Sequence, residues 1–137
     1  MRRRSARVLV LALAACGSVN ACTHNPAGPQ AGPLAVGRWT GSAACLSVTE
    51  TICNVVVGCG HGQFPPPVVG TDGIFEVDGT YRVEAGPVSI NPAPPAHFSG
   101  SVSGSRLILI VIPTGSLPPA SYSMTPASAG TCTVPCV

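Results

Sequence analysis

The sequence contains no lysine, and only 9% of its 137 residues carry a charged side chain. Without lysine the chain has no Schiff-base nucleophile and no lysine for a phosphate-binding loop. Aromatic residues are also scarce, at 4% of the chain, so a single apolar core has little aromatic bulk. These absences exclude the enzyme classes that depend on a reactive or phosphate-binding lysine.

The N-terminal apolar run is too short to span a membrane. It covers Val8 to Ala15, whereas a spanning helix needs about 20 apolar residues. Four arginines precede it, at positions 2, 3, 4 and 7. A basic start, a short apolar run and small residues at its end are typical of an export signal. We therefore expect residues 1–15 to form a signal peptide.

The end of this run carries a more specific motif, the tetrapeptide Leu-Ala-Ala-Cys at residues 13–16. It resembles the lipobox of bacterial lipoproteins, over the first 16 residues only. The resemblance implies cleavage before Cys16 and acylation of Cys16, which attaches the chain to a membrane. Gly17, in place of an Asp, favours the periplasmic face of the outer membrane in a Gram-negative cell. The alternative is a soluble export signal cut near Ala15 or Ala21.

Composition divides the rest of the chain into a tether and a domain. Residues 16–36 are rich in Gly, Pro and Ala and are interpreted as a flexible tether, with one domain at residues 37–137. Without residues 1–15, three arginines face five carboxylates, a formal charge of −2 with His neutral. No basic patch remains for a phosphate backbone, so nucleic acid is not an expected partner.

Six cysteines follow Cys16, and in a small exported domain an even set favours disulfides. We expect local pairing among Cys45, Cys53 and Cys59, with Cys132 paired to Cys136 or back to that group. A zinc site is less favoured, because zinc-binding cysteine pairs are usually closer together. No metal or other cofactor is expected. The disulfide candidates are Cys22, Cys45, Cys53, Cys59, Cys132 and Cys136.

Short β-branched segments separated by turn residues predict an all-β fold. Asp78-Gly79 and Ser103-Gly104 suit hairpin turns, and the segment from His61 through the prolines at 65–67 is interpreted as a loop. We count six or seven strands. The pattern favours an antiparallel meander, sandwich or barrel.

The first strand of the domain carries a short motif, Gly37-x-Trp39 followed by Gly41. It resembles the first strand of lipocalin-like barrels of the calycin type, in which a tryptophan plugs one end. The resemblance covers five residues and implies a barrel whose full form has eight strands. With six or seven strands counted, the expectation is a small, disulfide-bonded antiparallel meander or a lipocalin-like barrel, either closed or incomplete.

Catalytic residues are present as types but not as a motif. His61 and His97 are candidate bases, and Glu76, Asp78 and Glu84 are candidate carboxylates. The chain has no Gly-x-Ser-x-Gly elbow to expose a serine nucleophile. We therefore expect a protein that is not an enzyme, with a hydrolase as the least favoured alternative.

The segment Arg106–Ile112 predicts a strand that is apolar on both faces. A half-exposed strand should alternate apolar and polar residues, so the second face must meet a covering loop, a partner or an apolar ligand. An aggregation-prone strand is a further alternative. Leu107, Leu109 and Val111 share one face, and Ile108, Ile110 and Ile112 share the other.

These features together predict an envelope lipoprotein that binds a small apolar ligand or an envelope protein. The residues expected to form the ligand or partner face are Trp39, Ile108, Ile110 and Ile112. The alternative is a structural or protein-interaction module without a ligand.

Overall fold

The structure, a computed structural model, describes residues 31–84 and 91–136. These two segments contain β-strands and no helix, and so no helix that could cross a membrane. The predicted signal peptide, Cys16 and Cys22 lie outside the described residues. The strands are β1 (Gly32–Pro33), β2 (Gly37–Thr40), β3 (Cys45–Val48), β4 (Cys53–Val57), β5 (Gly60–Phe64), β6 (Val68–Val69), β7 (Ile74–Val83), β8 (Pro95–Ser103), β9 (Arg106–Pro113) and β10 (Ala120–Ala127).

Eight of the strands close into an antiparallel barrel. Its order is β2-β3-β4-β5-β7-β8-β9-β10, and β10 pairs with β2 to complete the ring. Closure leaves no barrel strand with an unpaired edge. β1 and β6 form a separate two-stranded sheet. The predicted all-β, disulfide-bonded, antiparallel fold is confirmed and the barrel is closed, but the count of six or seven strands is wrong, since the barrel has eight.

Two local errors explain the undercount and the misplaced turn. The sequence predicts a loop from His61, but β5 extends through this segment to Phe64. The strand pairs with both β4 and β7. The hairpin predicted at Asp78-Gly79 is absent, because β7 runs through it and pairs with β8 along its length. Gly79 lies against the backbone of Gln63, so space rather than turn geometry accounts for the glycine. The turn predicted at Ser103-Gly104 is correct, with Gly104 at φ 57°.

Side chains fill the barrel interior. The rings of Phe64 and Phe98 lie with centroids 4.4 Å apart. Glycines on neighbouring strands make room for such rings: a Cβ on Gly62 would lie 3.0 Å from the Phe98 ring, and one on Gly100 would lie 2.6 Å from the ring of Phe75. The centre of the barrel is therefore a packed core, as in other small barrels.

The residues after β10 return across the outside of the barrel as a tail, residues 128–136, that two disulfides hold in place. They are Cys45–Cys132 and Cys59–Cys136. The predicted local pairing is wrong, and the alternative in which Cys132 pairs back to the earlier group is correct. Strand alternation explains why: Cys53 packs in the core as a free thiol, whereas Cys45 faces outward beneath the tail.

Candidate functional site

An apolar pocket of about 320 Å³ opens at the end of the barrel where β2 begins. This cavity, the Trp39 pocket, holds the only tryptophan of the chain, which is 6% exposed. No lining side chain carries a charge or a hydroxyl group. The pocket is lined by Gly32, Pro33, Leu34, Ala35, Trp39, Val69, Gly73, Val102 and Gly104.

The small sheet of β1 and β6 forms one wall of this pocket. Gly32 pairs with Val69, and the Leu34 amide donates a hydrogen bond to the Pro67 carbonyl over 3.0 Å. Leu34 is thereby held in the core with 3% exposure. The prolines before β6 cannot enter a central strand, so this segment crosses the barrel end. Leu34, near the end of the predicted tether, is therefore packed on the barrel.

The opposite wall comes from two turns and the end of β8. Gly73 donates a backbone hydrogen bond to Gly70, and Val102 donates one to Gly73. These bonds tie the turn before β7 to the end of β8, beside the turn at Gly104. The pocket is thus built from the ends of barrel strands and from the small sheet of β1 and β6, rather than from the middle of the barrel.

The chemistry of the pocket is that of an apolar binding site. Its walls offer dispersion contacts and one indole ring, with an indole N–H as the single side-chain polar group. Apolar pockets of this size class are typical of small-molecule sites. The lining contains no side-chain acid, base or nucleophile.

The structure separates Trp39 from the three isoleucines predicted to share its face. Trp39 points inward, whereas the isoleucine row, Ile108, Ile110 and Ile112, lies half-buried on the outer wall of β9. Their opposites on the same strand pack in the core with 0–1% exposure, so the two-sided interpretation of this strand is correct. The inward residues are Leu107, Leu109 and Val111.

Serines flank the isoleucine row on both sides. Ile108 pairs across the sheet with one serine of β8 and one of β10, and Ile110 does the same. A shallow groove of about 220 Å³ runs beside them towards Ile74, which is 50% exposed. This outer surface is a second apolar feature and is independent of the Trp39 pocket. The four serines are Ser99, Ser101, Ser121 and Ser123.

The candidate bases each meet a carboxylate, but on the outer wall. His61 Nε2 lies 3.5 Å from Glu84, which also accepts a 2.8 Å hydrogen bond from Arg82, and His97 Nδ1 lies 2.8 Å from Asp78. Within residues 31–84 and 91–136, no serine hydroxyl is hydrogen-bonded to either histidine. A nucleophile, base and acid are therefore not brought together.

The third candidate carboxylate and the cysteines also fail to assemble a reactive site. Glu76 is exposed on β7 opposite Ser99. In the described part of the chain, no three His, Cys, Asp or Glu side chains are grouped as metal ligands. Burial raises the pKa of the Cys53 thiol to about 11, so the thiol stays protonated and unreactive at neutral pH.

A smaller cavity of about 90 Å³ lies at the opposite barrel end, between Tyr81, Tyr122 and Leu117. The pKa of Tyr81 is raised, first by burial and then by the neighbouring Tyr122. Its small volume leaves the Trp39 pocket as the better candidate binding site.

Sequence reasoning missed most of the pocket. Leu34 and Gly32 lie in a segment without strand periodicity, and Val69 follows three prolines. Val102 was visible only as one residue of a strand. The one signal available was the motif around Trp39, which points to a barrel end but not to its partners.

No family model, curated protein or solved structure matches the chain. Function is therefore inferred from the geometry of the site.

Proposed function

We propose that this chain is a non-catalytic envelope lipoprotein that binds a small apolar ligand in the Trp39 pocket. The observation that carries the proposal is a pocket of about 320 Å³ without a charged or hydroxyl-bearing side chain. Removing apolar surface from water is favourable, by roughly 25 cal/mol per Å² of apolar area. A ligand that covers the pocket removes its apolar walls from water, and this burial favours binding.

The ligand class follows from volume and lining. A pocket without a charged partner rejects a buried charge, because an unpaired ion is costly in an apolar site. An uncharged ring system or a short acyl chain fits both the volume and the chemistry. The Trp39 indole favours an aromatic group, since ring pairs gain energy beyond their burial.

The envelope location rests on the N-terminal sequence and on the disulfides. The segment at residues 13–16 resembles a lipobox, and Cys16 is the proposed lipidation site. Two disulfides are compatible with an extracytoplasmic, oxidising compartment. Attachment by acyl chains on Cys16 makes the membrane a partner of the chain.

The test uses the single tryptophan as a reporter inside the site. Titration with the neutral probe N-phenyl-1-naphthylamine is expected to quench Trp39 emission saturably. Val102→Phe fills the pocket and is expected to weaken binding about tenfold or more, because a new ring removes the free volume. Ile110→Phe, on the outer wall, is the matched control and should leave binding unchanged.

Absence of saturable quenching in the unmodified protein would contradict the proposal. Equal weakening by Val102→Phe and Ile110→Phe would contradict it as well, since only the first residue lines the pocket.

The alternative function is a protein-interaction module. It is favoured by the isoleucine row and by the half-exposed Ile74 on the same outer wall. In that case, replacing Ile108 and Ile110 together by serine removes cross-linking to an envelope protein. Quenching of Trp39 by the probe would be absent in the unmodified protein.

A further inference from the structure

A second, polar cavity lies on the outside of the barrel, beneath the C-terminal tail. It measures about 210 Å³ and is bounded by β2, by the turn between β2 and β3, and by the tail. This cavity, the Arg38 pocket, lies on the opposite side of β2 from the Trp39 pocket, because Arg38 faces outward and Trp39 inward. Its lining is Arg38, Thr40, Gly41, Ser42, Ala44, Cys45, Thr131, Thr133, Val134 and Pro135.

The guanidinium of Arg38 is held in place but incompletely satisfied. Nη1 donates a 2.9 Å hydrogen bond to the Thr131 carbonyl, and a Cβ added to Gly130 would lie 3.1 Å from the same Nη1. Nε is buried and has no hydrogen-bond partner among the residues that the structure describes. Among residues 31–84 and 91–136, no carboxylate lies within ion-pair distance of Arg38. A guanidinium is always charged, so this pocket holds an unneutralised positive charge.

The other arginines of the barrel show what is unusual about Arg38. Arg82 is paired with Glu84. Arg106, at the turn between β8 and β9, is exposed to solvent. Arg38 alone of the three combines partial burial, a fixed guanidinium and a cavity beside it.

The rest of the lining suits an oxyanion. Four residues of the same lining carry hydroxyl groups, and hydroxyls donate to anionic oxygens. Arginine binds carboxylate and phosphate through paired N–H donors, and Arg38 places such donors in the lining of this pocket. The hydroxyls belong to Thr40, Ser42, Thr131 and Thr133.

We infer that the Arg38 pocket is a binding site for a small oxyanion, a carboxylate or a phosphate group, clamped between β2 and the disulfide-held tail. Cys45–Cys132 fixes the tail directly beside Thr131, whose carbonyl orients the guanidinium. This site is separate from the apolar ligand site, so oxyanion binding in the Arg38 pocket does not depend on ligand binding in the Trp39 pocket.

The test is a titration of the protein, isolated from cells with its full chain, with inorganic phosphate followed by NMR. At constant ionic strength, the Arg38 Nε–H resonance is expected to shift saturably at millimolar phosphate and not with chloride. Arg38→Gln should abolish the shift of the neighbouring amides. Arg38→Lys should weaken binding about tenfold, because it keeps the charge and loses the paired donors. Arg106→Gln, at an exposed arginine, is the control that leaves binding unchanged.

Thr133→Val removes one hydroxyl from the tail with little change in shape, and we expect it to weaken phosphate binding several-fold. This variant tests the pocket independently if the Arg38 variants do not fold. A shift without saturation, equal shifts with chloride, or equal losses in Arg106→Gln and Arg38→Gln would mean that the pocket holds solvent only, and would overturn the inference. Vesicles of phosphatidylcholine with and without phosphatidylglycerol then distinguish the source. A shift only with the anionic lipid indicates a headgroup, and no shift with either indicates a free oxyanion.

Discussion

Individual residues decide how the barrel interior is filled, and glycine is as important there as the apolar side chains. Gly62 makes room for Phe98, and Gly100 makes room for Phe75. The chain has few aromatics, and glycines beside Phe98 and Phe75 let these rings fill the core closely. Cys53 adds a fully buried thiol to the same core.

Gly62→Ala is expected to destabilise the barrel by about 1–3 kcal/mol, because overpacking forces a dense core to shift. The new Cβ would lie 2.7 Å from Val55 and 3.0 Å from Phe98. Gly32→Ala is the matched control, since its added Cβ meets nothing within 4 Å. Urea unfolding of both variants measures the difference. Equal unfolding free energies would contradict the packing argument.

Cys53 is expected to make the barrel less stable in strong alkali. Burial raises the thiol pKa from 9.0 to about 11, so the folded state favours the protonated form more than the unfolded state does. The resulting stabilisation is complete below pH 9 and is lost as pH rises towards 11. Between pH 8 and 11 the loss is about 2 kcal/mol by proton linkage.

The readout is the unfolding free energy of the protein minus that of Cys53→Ala at each pH. Subtraction removes the tyrosines, which also titrate in this range. A difference that does not change with pH would show that the thiol is not a buried acid.

Secondary-structure elements show where sequence patterns succeed and where they fail. β9 was predictable on both faces, because its inward and outward residues are all apolar and strand alternation separates them. β5 was missed because Gly60 and Gly62 remove β-propensity from a strand whose glycines are needed for packing. The Asp78-Gly79 pair failed as a turn signal because Gly79, too, is required for space within a strand. Glycine required for space and glycine required for a turn are alike in sequence.

The tail is an element without regular structure, and its position depends on two covalent bonds. Beyond the alternative that Cys132 pairs back to the earlier cysteines, the bonds were not predictable, since pairing follows from which face of a strand each cysteine occupies. Cys45→Ala with Cys132→Ala opens a link with a sequence separation of 87 residues. The expected loss is about 2–5 kcal/mol, because the unfolded chain regains conformational freedom.

Thermal unfolding of the double variant measures this loss, with Cys53→Ala as a cysteine control that breaks no bridge. An unfolding temperature equal to that of the control would contradict a stabilising role for the tail.

At the scale of the whole molecule, the described residues form a closed, filled barrel with its candidate binding sites at the periphery. The Trp39 pocket lies at one end, the Arg38 pocket lies under the tail, and the isoleucine row lies on the outer wall. Closure was not predictable from the chain, because β2 and β3 are only four residues each and the barrel closes through their pairing with β10 and β4. A filled interior leaves the rim and outer wall as the places where this chain can meet a ligand or a partner.

A crystal structure of the protein with N-phenyl-1-naphthylamine is the decisive test of apolar ligand binding in the Trp39 pocket. We predict electron density for the probe against the Trp39 ring, between Leu34 and Val102. Density on the isoleucine row, or a Trp39 pocket that excludes the probe, would contradict the proposed apolar binding function.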